Sequence, residues 1–168
     1  MEESFSGPSL DPYPVKLRGL CVRELWINTF IFPTINLPEH AQPLLIGSAP
    51  GKYEEENKTR RVTLLAKLGE EIDPDRVTDH IKAGGAPFAL RVRLVGEFQF
   101  DESRFPMEKI DQWSEQNAPI ILFPYMREQI FSLTARSGFR PLILPLVQVP
   151  TIKVLSEDQM DPIPPKLD

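Results

Sequence analysis

The sequence predicts an α+β domain in which helices cover one face of an antiparallel sheet. Three observations carry this. Strand-like segments come first and helical ones after, an order that favours segregated layers over alternating strand–helix units. Two segments alternate with a period of two: Val62, Leu64, Ala66 and Leu68 against Arg61, Thr63, Leu65 and Lys67, then Phe88, Leu90, Val92, Leu94, Gly96, Phe98 and Phe100 against Ala89, Arg91, Arg93, Val95, Glu97 and Gln99. Phe123, Met126, Ile130 and Leu133 recur at spacings of three, four and three, which gathers them on one helix face.

Residues 1–19 carry Gly7, Pro8, Pro12 and Pro14 and few large apolar groups, and read as a flexible arm. Cys21 to Phe32 is rich in β-branched and aromatic residues and ends at Pro33, a strand. Leu25, Ile27, Thr29 and Ile31 share one of its faces, Trp26, Phe30 and Phe32 the other, so both faces expect burial. Leu44-Leu45-Ile46 is a short edge strand, stopped by Gly47, Pro50 and Gly51. Residues 70–86, with Asp73-Pro74-Asp75 and Gly84-Gly85, read as a loop between the two alternating strands.

A short helix spans 105–115, opened by Pro106 and edged by Met107, Ile110 and Trp113. In the main helix Pro124 fits the first turn most easily; if 119–123 are helical too, the Ile120 carbonyl loses its donor there. Arg136 suits the negative helix end, Gly138 the left-handed cap, and Pro141 forbids continuation. Beyond lie the extended apolar segments 142–144 and 146–147, then an acidic, proline-rich tail. The organisation is an arm (1–19), one domain (20–149) and a tail (150–168).

A chain of 168 residues suits one domain able to bury roughly 70% of its unfolded surface. A net charge of −5 argues against nucleic acid or anionic membrane as partner. No apolar run approaches the roughly 20 residues of a spanning helix, and the acidic, proline-broken opening lacks the marks of a signal peptide. One cysteine, Cys21, excludes an internal disulfide and fits a reducing cytoplasm. The 18 prolines are about double the usual share of roughly 5%, and punctuate the apolar segments.

No motif calls for catalysis, metal or cofactor. Gly47-Ser48-Ala49-Pro50-Gly51-Lys52 resembles a phosphate loop but is one residue short between its glycines, and Tyr53 stands where a hydroxyl should hold magnesium. A strand-to-loop turn is the better reading. His40 and His80 fall in separate loops, as surface residues. Asp73, Asp75 and Asp79 lack the glycine and glutamate of a calcium loop. Neighbours Arg127 and Glu128 cannot face each other on a helix, so each is expected to pair with a strand or a second subunit. What stands out is an excess of apolar groups. Trp26, Phe30, Phe32, Leu44, Leu45, Ile46, Leu142, Leu144 and Leu146 exceed the needs of one sheet face, so part of the set is expected to line a groove.

The segment 122–147, LFPYMREQIFSLTARSGFRPLILPLV, resembles the most recognisable stretch of the SecB protein-export chaperones, through Leu122, Phe123, Pro124, Tyr125, Arg127, Glu128, Ser137, Gly138, Pro141, Leu142 and Pro145. Arg61 to Glu71 and Pro87 to Phe98 are similar to the family's third and fourth strands, and Leu25-Trp26 to a pair in its first. The resemblance implies four antiparallel strands followed by a long helix packed on one face. It also implies a homotetramer built as a dimer of dimers, and ATP-independent holding of unfolded or precursor polypeptides. Phe30, Phe32, Leu44, Leu45, Ile46, Leu142, Leu144 and Leu146 are the expected client-binding residues. The family adds a second C-terminal helix, which the prolines after Val149 do not support here, and presents carboxylates to the SecA motor. At the matching places stand Thr29, Phe32 and Arg91. General export and a dedicated client such as an antitoxin both stay open. So does a structural or adaptor role in a permanent assembly, and, last, a small-ligand or enzymatic use of the groove.

Overall fold

The computed structural model describes residues 12–33, 44–145 and 153–154. Strands β1 (Val15–Thr29), β2 (Leu44–Glu54), β3 (Thr59–Leu68) and β4 (Phe88–Phe100) are followed by helices α2 (Ile110–Gln116) and α3 (Ala118–Arg136); a short helix α1 (Val77–Lys82) interrupts the β3–β4 connection. The sheet order is β1-β4-β3-β2, all antiparallel, and a two-residue strand β5 (Lys153–Val154) adds in parallel outside β2. Helices α2 and α3 lie on one face.

The period-two alternation decides which face. In β4 the residues Phe88, Leu90, Val92, Leu94, Phe98 and Phe100 are all buried, and the register sets Leu68, Ala66, Val62 and Leu64 of β3 beside them. Onto this surface α3 lays Leu122, Phe123, Met126 and Ile130, while Trp113 of α2 meets the rings of Phe98, Phe100 and Phe105 edge-on at 5.2, 5.3 and 6.3 Å. The Trp113 indole donates to the Tyr13 hydroxyl at 3.0 Å, which ties the start of β1 to α2. Contact is closest at Gly96, where a β-carbon would stand 2.5 Å from a Leu122 methyl. The glycine is a packing requirement.

Helix α3 runs unbroken through Pro124, and residues 119–123 are helical. Pro124 and Ile120 both lie on the exposed side, so the carbonyl deprived of its donor meets water. Four buried apolar side chains at about 1.5–3 kcal/mol each outweigh the ~3 kcal/mol of an interior proline. The helix ends in a Schellman motif: Gly138, at φ 82, donates to Ala135 O, and Phe139 donates to Thr134 O. Buried Thr134 also accepts the Leu142 amide at 2.9 Å, and Phe139 packs on Phe88. The chain after α3 is thereby strapped back along the helix.

The structure moves several boundaries. β1 begins at Val15, not Cys21, so residues 15–19 belong to the sheet. Long β4 recruits them through Val15↔Phe100 and Leu17↔Phe98, and bulges near Gly19 and Arg23 absorb the mismatch. The strand stops at Thr29, three residues early. β2 runs on to Glu54, across Gly47, Pro50 and Gly51: as the outer of the long strands it tolerates a proline and a bulge between Pro50 and Tyr53. The phosphate-loop look-alike is therefore strand, neither loop nor turn. Helix α1 occupies the expected loop; none of its residues is buried, so no apolar period announced it. The tail, read as unpacked, contributes Lys153 and Val154 to the sheet.

Gly96→Ala is expected to lower stability by about 1–3 kcal/mol in chemical denaturation, the usual range for overpacking. Adding Leu122→Ala should recover part of that loss relative to Leu122→Ala alone. Additive losses would mean that the pair does not set the helix–sheet distance.

Candidate polypeptide-binding site

The sheet register sorts the apolar residues marked out by the sequence. Leu44↔Leu68 and Ile46↔Ala66 put Leu44 and Ile46 on the helix side, where both pack against the core. Leu45↔Lys67 turns Leu45 to the open face, where it is 61% exposed. Leu142 also packs on the core, and Leu144 is only 4% exposed. Leu44, Ile46, Leu142 and Leu144, expected as groove residues, pack within the chain against the core. Three consecutive apolar residues cannot reveal which one points outward. Leu146 lies outside the described residues. Phe32 stands 86% exposed just past β1, and Phe30 is half-buried.

Leu45 lines a cleft that Phe30 adjoins through His80. This open cleft of about 640 Å³ lies between the β2–β3 end of the sheet and α1, lined among others by Leu45, Lys67, Ile72, Asp73, Arg76 and His80. His80 forms its inner wall. Its ring holds Phe30 edge-on at 6.0 Å, its Nε2 lies 3.0 Å from Ala86 O, and it fills the space a β-carbon on Gly85 would need. The Phe30 amide in turn donates to Pro87 O at 3.0 Å. Expected as a surface residue, His80 is instead the post on which the end of β1 and the loop before β4 are hung. The cleft mixes apolar Leu45 and Ile72 with acidic Glu70, Glu71 and Asp79 and basic Lys67 and Arg76.

Further apolar surface was missed by sequence reasoning. Leu20, Val22 and Leu25 pair with Gly96, Leu94 and Val92 and so face the helix side, yet each is exposed because α3 does not reach that far across the sheet. Ile120, Ile121, Tyr125 and Phe131 are exposed on the flanks of α3, and Ile143 is 70% exposed on the strap. Of the family-motif residues, Leu122 and Phe123 are core, whereas Pro124, Tyr125 and Glu128 are exposed and Arg127 is half-buried. Glu128 accepts from Ser132 Oγ at 2.9 Å and from Gln129, both on its own helix, so the expected pairing to a strand is not what holds it. Arg127 lines a smaller hollow with Pro124, Phe131 and Leu142–Leu144.

On the open face Glu24 Oε2 sits 3.2 Å from Arg91 Nε and 3.4 Å from Arg93 Nε. Nothing at either place gathers groups for chemistry: among the described residues no cluster of three or more His, Cys, Asp or Glu side chains could hold a metal. Asp73 accepts the Asp75 amide in a solvated turn. No described helix is long and apolar enough to cross a membrane.

A profile described as Preprotein translocase subunit SecB matches residues 76–152, which hold β4, α2, α3 and the strap. The protein-export protein SecB of Anaplasma phagocytophilum is 26% identical over 140 residues, 79% of this chain and 86% of that protein. That of Saccharophagus degradans is 36% identical over 87 residues, 52% of this chain and 43% of that protein. Among solved structures, the Mycobacterium tuberculosis SecB-like chaperone Rv1957, in complex with a ChAD peptide from the Rv1956 HigA1 antitoxin, superposes with a TM-score of 0.64 over 82% of this chain and 94% of that one. At 16% identity this likeness establishes the fold.

One perturbed group lies at the opposite end of the sheet. The Tyr53 hydroxyl is pushed up to about 12 by burial and by its 2.8 Å hydrogen bond to Glu102, which Lys58 also approaches at 3.1 Å. A raised tyrosine contributes stability that is complete below its ordinary value near 10 and lost as pH rises through about 12. Glu102→Gln should therefore bring the phenolate absorbance midpoint of Tyr53 down from about 12, though not fully to 10, since burial is the larger cause. An unmoved midpoint would remove Glu102 from the account.

Proposed function

We propose that this chain is a SecB-like chaperone, an ATP-independent holdase for non-native polypeptides, a reading supported by the SecB profile over residues 76–152 and by the shared fold. The observation that carries the reading is an open cleft lined by apolar Leu45 and Ile72 and walled by His80, whose ring also contacts Phe30, with exposed Phe32 just past the end of β1. Unfolded chains present apolar side chains and unpaired backbone; pockets beside a sheet edge satisfy both without demanding a sequence. Phe30, Phe32 and Leu45 are the client-binding residues of this reading, with Ile72 and Ile143 added from the structure.

The client is a dedicated polypeptide such as an antitoxin rather than the general run of export precursors. Two features support this choice. The Mycobacterium tuberculosis SecB-like chaperone was solved with an antitoxin peptide. Here, moreover, the open sheet face carries Arg91 and Arg93 beside Glu24, a poor match for a basic motor surface. The work is cytoplasmic and needs no cofactor. A permanent structural assembly is the alternative, favoured by the same exposed apolar surface if it is filled for good.

Stoichiometric amounts of the protein, without nucleotide, should stop an unrelated unfolded protein from aggregating. Phe32→Ser and Leu45→Ser should weaken client affinity about tenfold while shifting stability by about 0.5 kcal/mol or less. Ile46→Ala and Ile130→Ala should do the reverse, with Ile130→Ala costing about 2–5 kcal/mol. Normal client binding by both serine variants would place the client elsewhere.

A homodimer or a dimer of dimers goes with this reading. β1 is the sheet's other edge, and Leu20, Val22 and Leu25 beside it are left uncovered by the chain's own helices. Light scattering at micromolar concentration should give a mass at least twice that of the chain, and Val22→Glu should reduce it. A wild-type monomer would overturn the assembly.

A further inference from the structure

Among the described residues, the outer edge of β2 is paired over a short stretch only. β2 has 11 residues, and of these only Gly47 and Ser48 have a described partner on the outside, Lys153 and Val154. That pairing is parallel in a sheet whose long strands are otherwise antiparallel, so it is no hairpin extension of the fold. It comes from a segment some hundred residues away in sequence, Thr151-Ile152-Lys153-Val154-Leu155, whose β-branched residues suit a strand.

We propose that the edge of β2 is a docking site for an extended polypeptide running parallel to β2, and that Lys153–Val154 is a built-in occupant which a client displaces. The proposal rests on the holdase reading for the identity of the displacing chain. Geometry ties the edge to the cleft: Gly47 and Leu45 share the open face of β2, and Leu45 lines the cleft. A client that prolongs the ladder by two residues sets a side chain level with Leu45, where an apolar group gains contact. Backbone pairing then supplies affinity for any sequence, and the cleft supplies the preference. Two ladder residues make a weak seat, yet a tethered segment competes at an effective concentration in the millimolar range. A longer strand with an apolar anchor outcompetes it; a short or polar one does not. The tail thus sets a threshold for occupancy, and in the empty state it shields an edge that would otherwise invite other chains.

The full-length chain carrying Val154→Pro removes the amide and strains the ladder. Three measurements decide. Amide exchange at Gly47–Ala49 should speed up at least tenfold in the variant, with the melting temperature unchanged. Affinity for reduced, carboxymethylated lysozyme should rise about three- to tenfold over wild type. A labelled peptide of residues 149–158 should bind the variant more tightly than wild type and be displaced by that client. Unchanged exchange would show that the tail does not hold the edge, and overturn the proposal. Faster exchange with unchanged client affinity would overturn it too, leaving a cap that no client contests. If neither protein binds the unfolded client, the holdase reading fails. The labelled peptide still decides the edge: tighter binding to the variant supports a strand-docking site, and equal or no binding refutes it.

Discussion

The approach of α3 to the sheet at Gly96 is the contact on which the rest of the structure depends. A helix carrying Leu122, Met126 and Ile130 can bury all three only if the strand beneath it makes room, and β4 does so by having no side chain where Leu122 descends. With the helix set low, Phe98 and Phe100 reach Trp113, and Phe139 reaches Phe88. The Schellman turn then delivers the strap to Thr134. Each of these contacts requires the one before it, which is why the best-packed part of the chain coincides with the segment that the SecB profile matches.

A single helical layer has a consequence for the other side of the sheet. Nothing described covers the open face, yet Ala49, Leu65 and Ala89 on it are buried. Small residues and the aliphatic stems of long charged ones close this surface: Arg91 and Arg93 lie flat around Glu24, and Arg61 reaches both Glu54 and Glu97. The two faces thus differ in kind, one holding the fold together and the other meeting solvent.

Much of this was legible in the sequence. β4 and β3 lie where alternation put them, and α3 was announced by its period and by Arg136 and Gly138 at its end. What could not be read has physical causes. The start of β1 depends on the length of its partner strand, a property of β4 and not of residues 15–19. Leu44-Leu45-Ile46 contains no phase, so only cross-strand register assigns Leu45 outward. The exposure of Leu20 and Val22 reflects how far one helix can reach across a sheet. His80 gave no signal, because Phe30, fifty residues away, cannot be paired with it from sequence, and the nearby Gly85 reads as a turn residue and not as room made for a ring.

Glu24 bears on more than charge balance. β1 is an edge strand with two bulges, the kind of segment that can pair one residue out of step, and any such slip would invert its faces. Its apolar pattern is too irregular to forbid this. A carboxylate shared by Arg91 and Arg93 opposes it, since a one-residue shift would send Glu24 among the leucines and break both of its ion pairs at once. Sitting directly after the second bulge, Glu24 acts as the key that admits only one alignment of the strand. The same key decides which of its side chains a neighbouring molecule will find on each side.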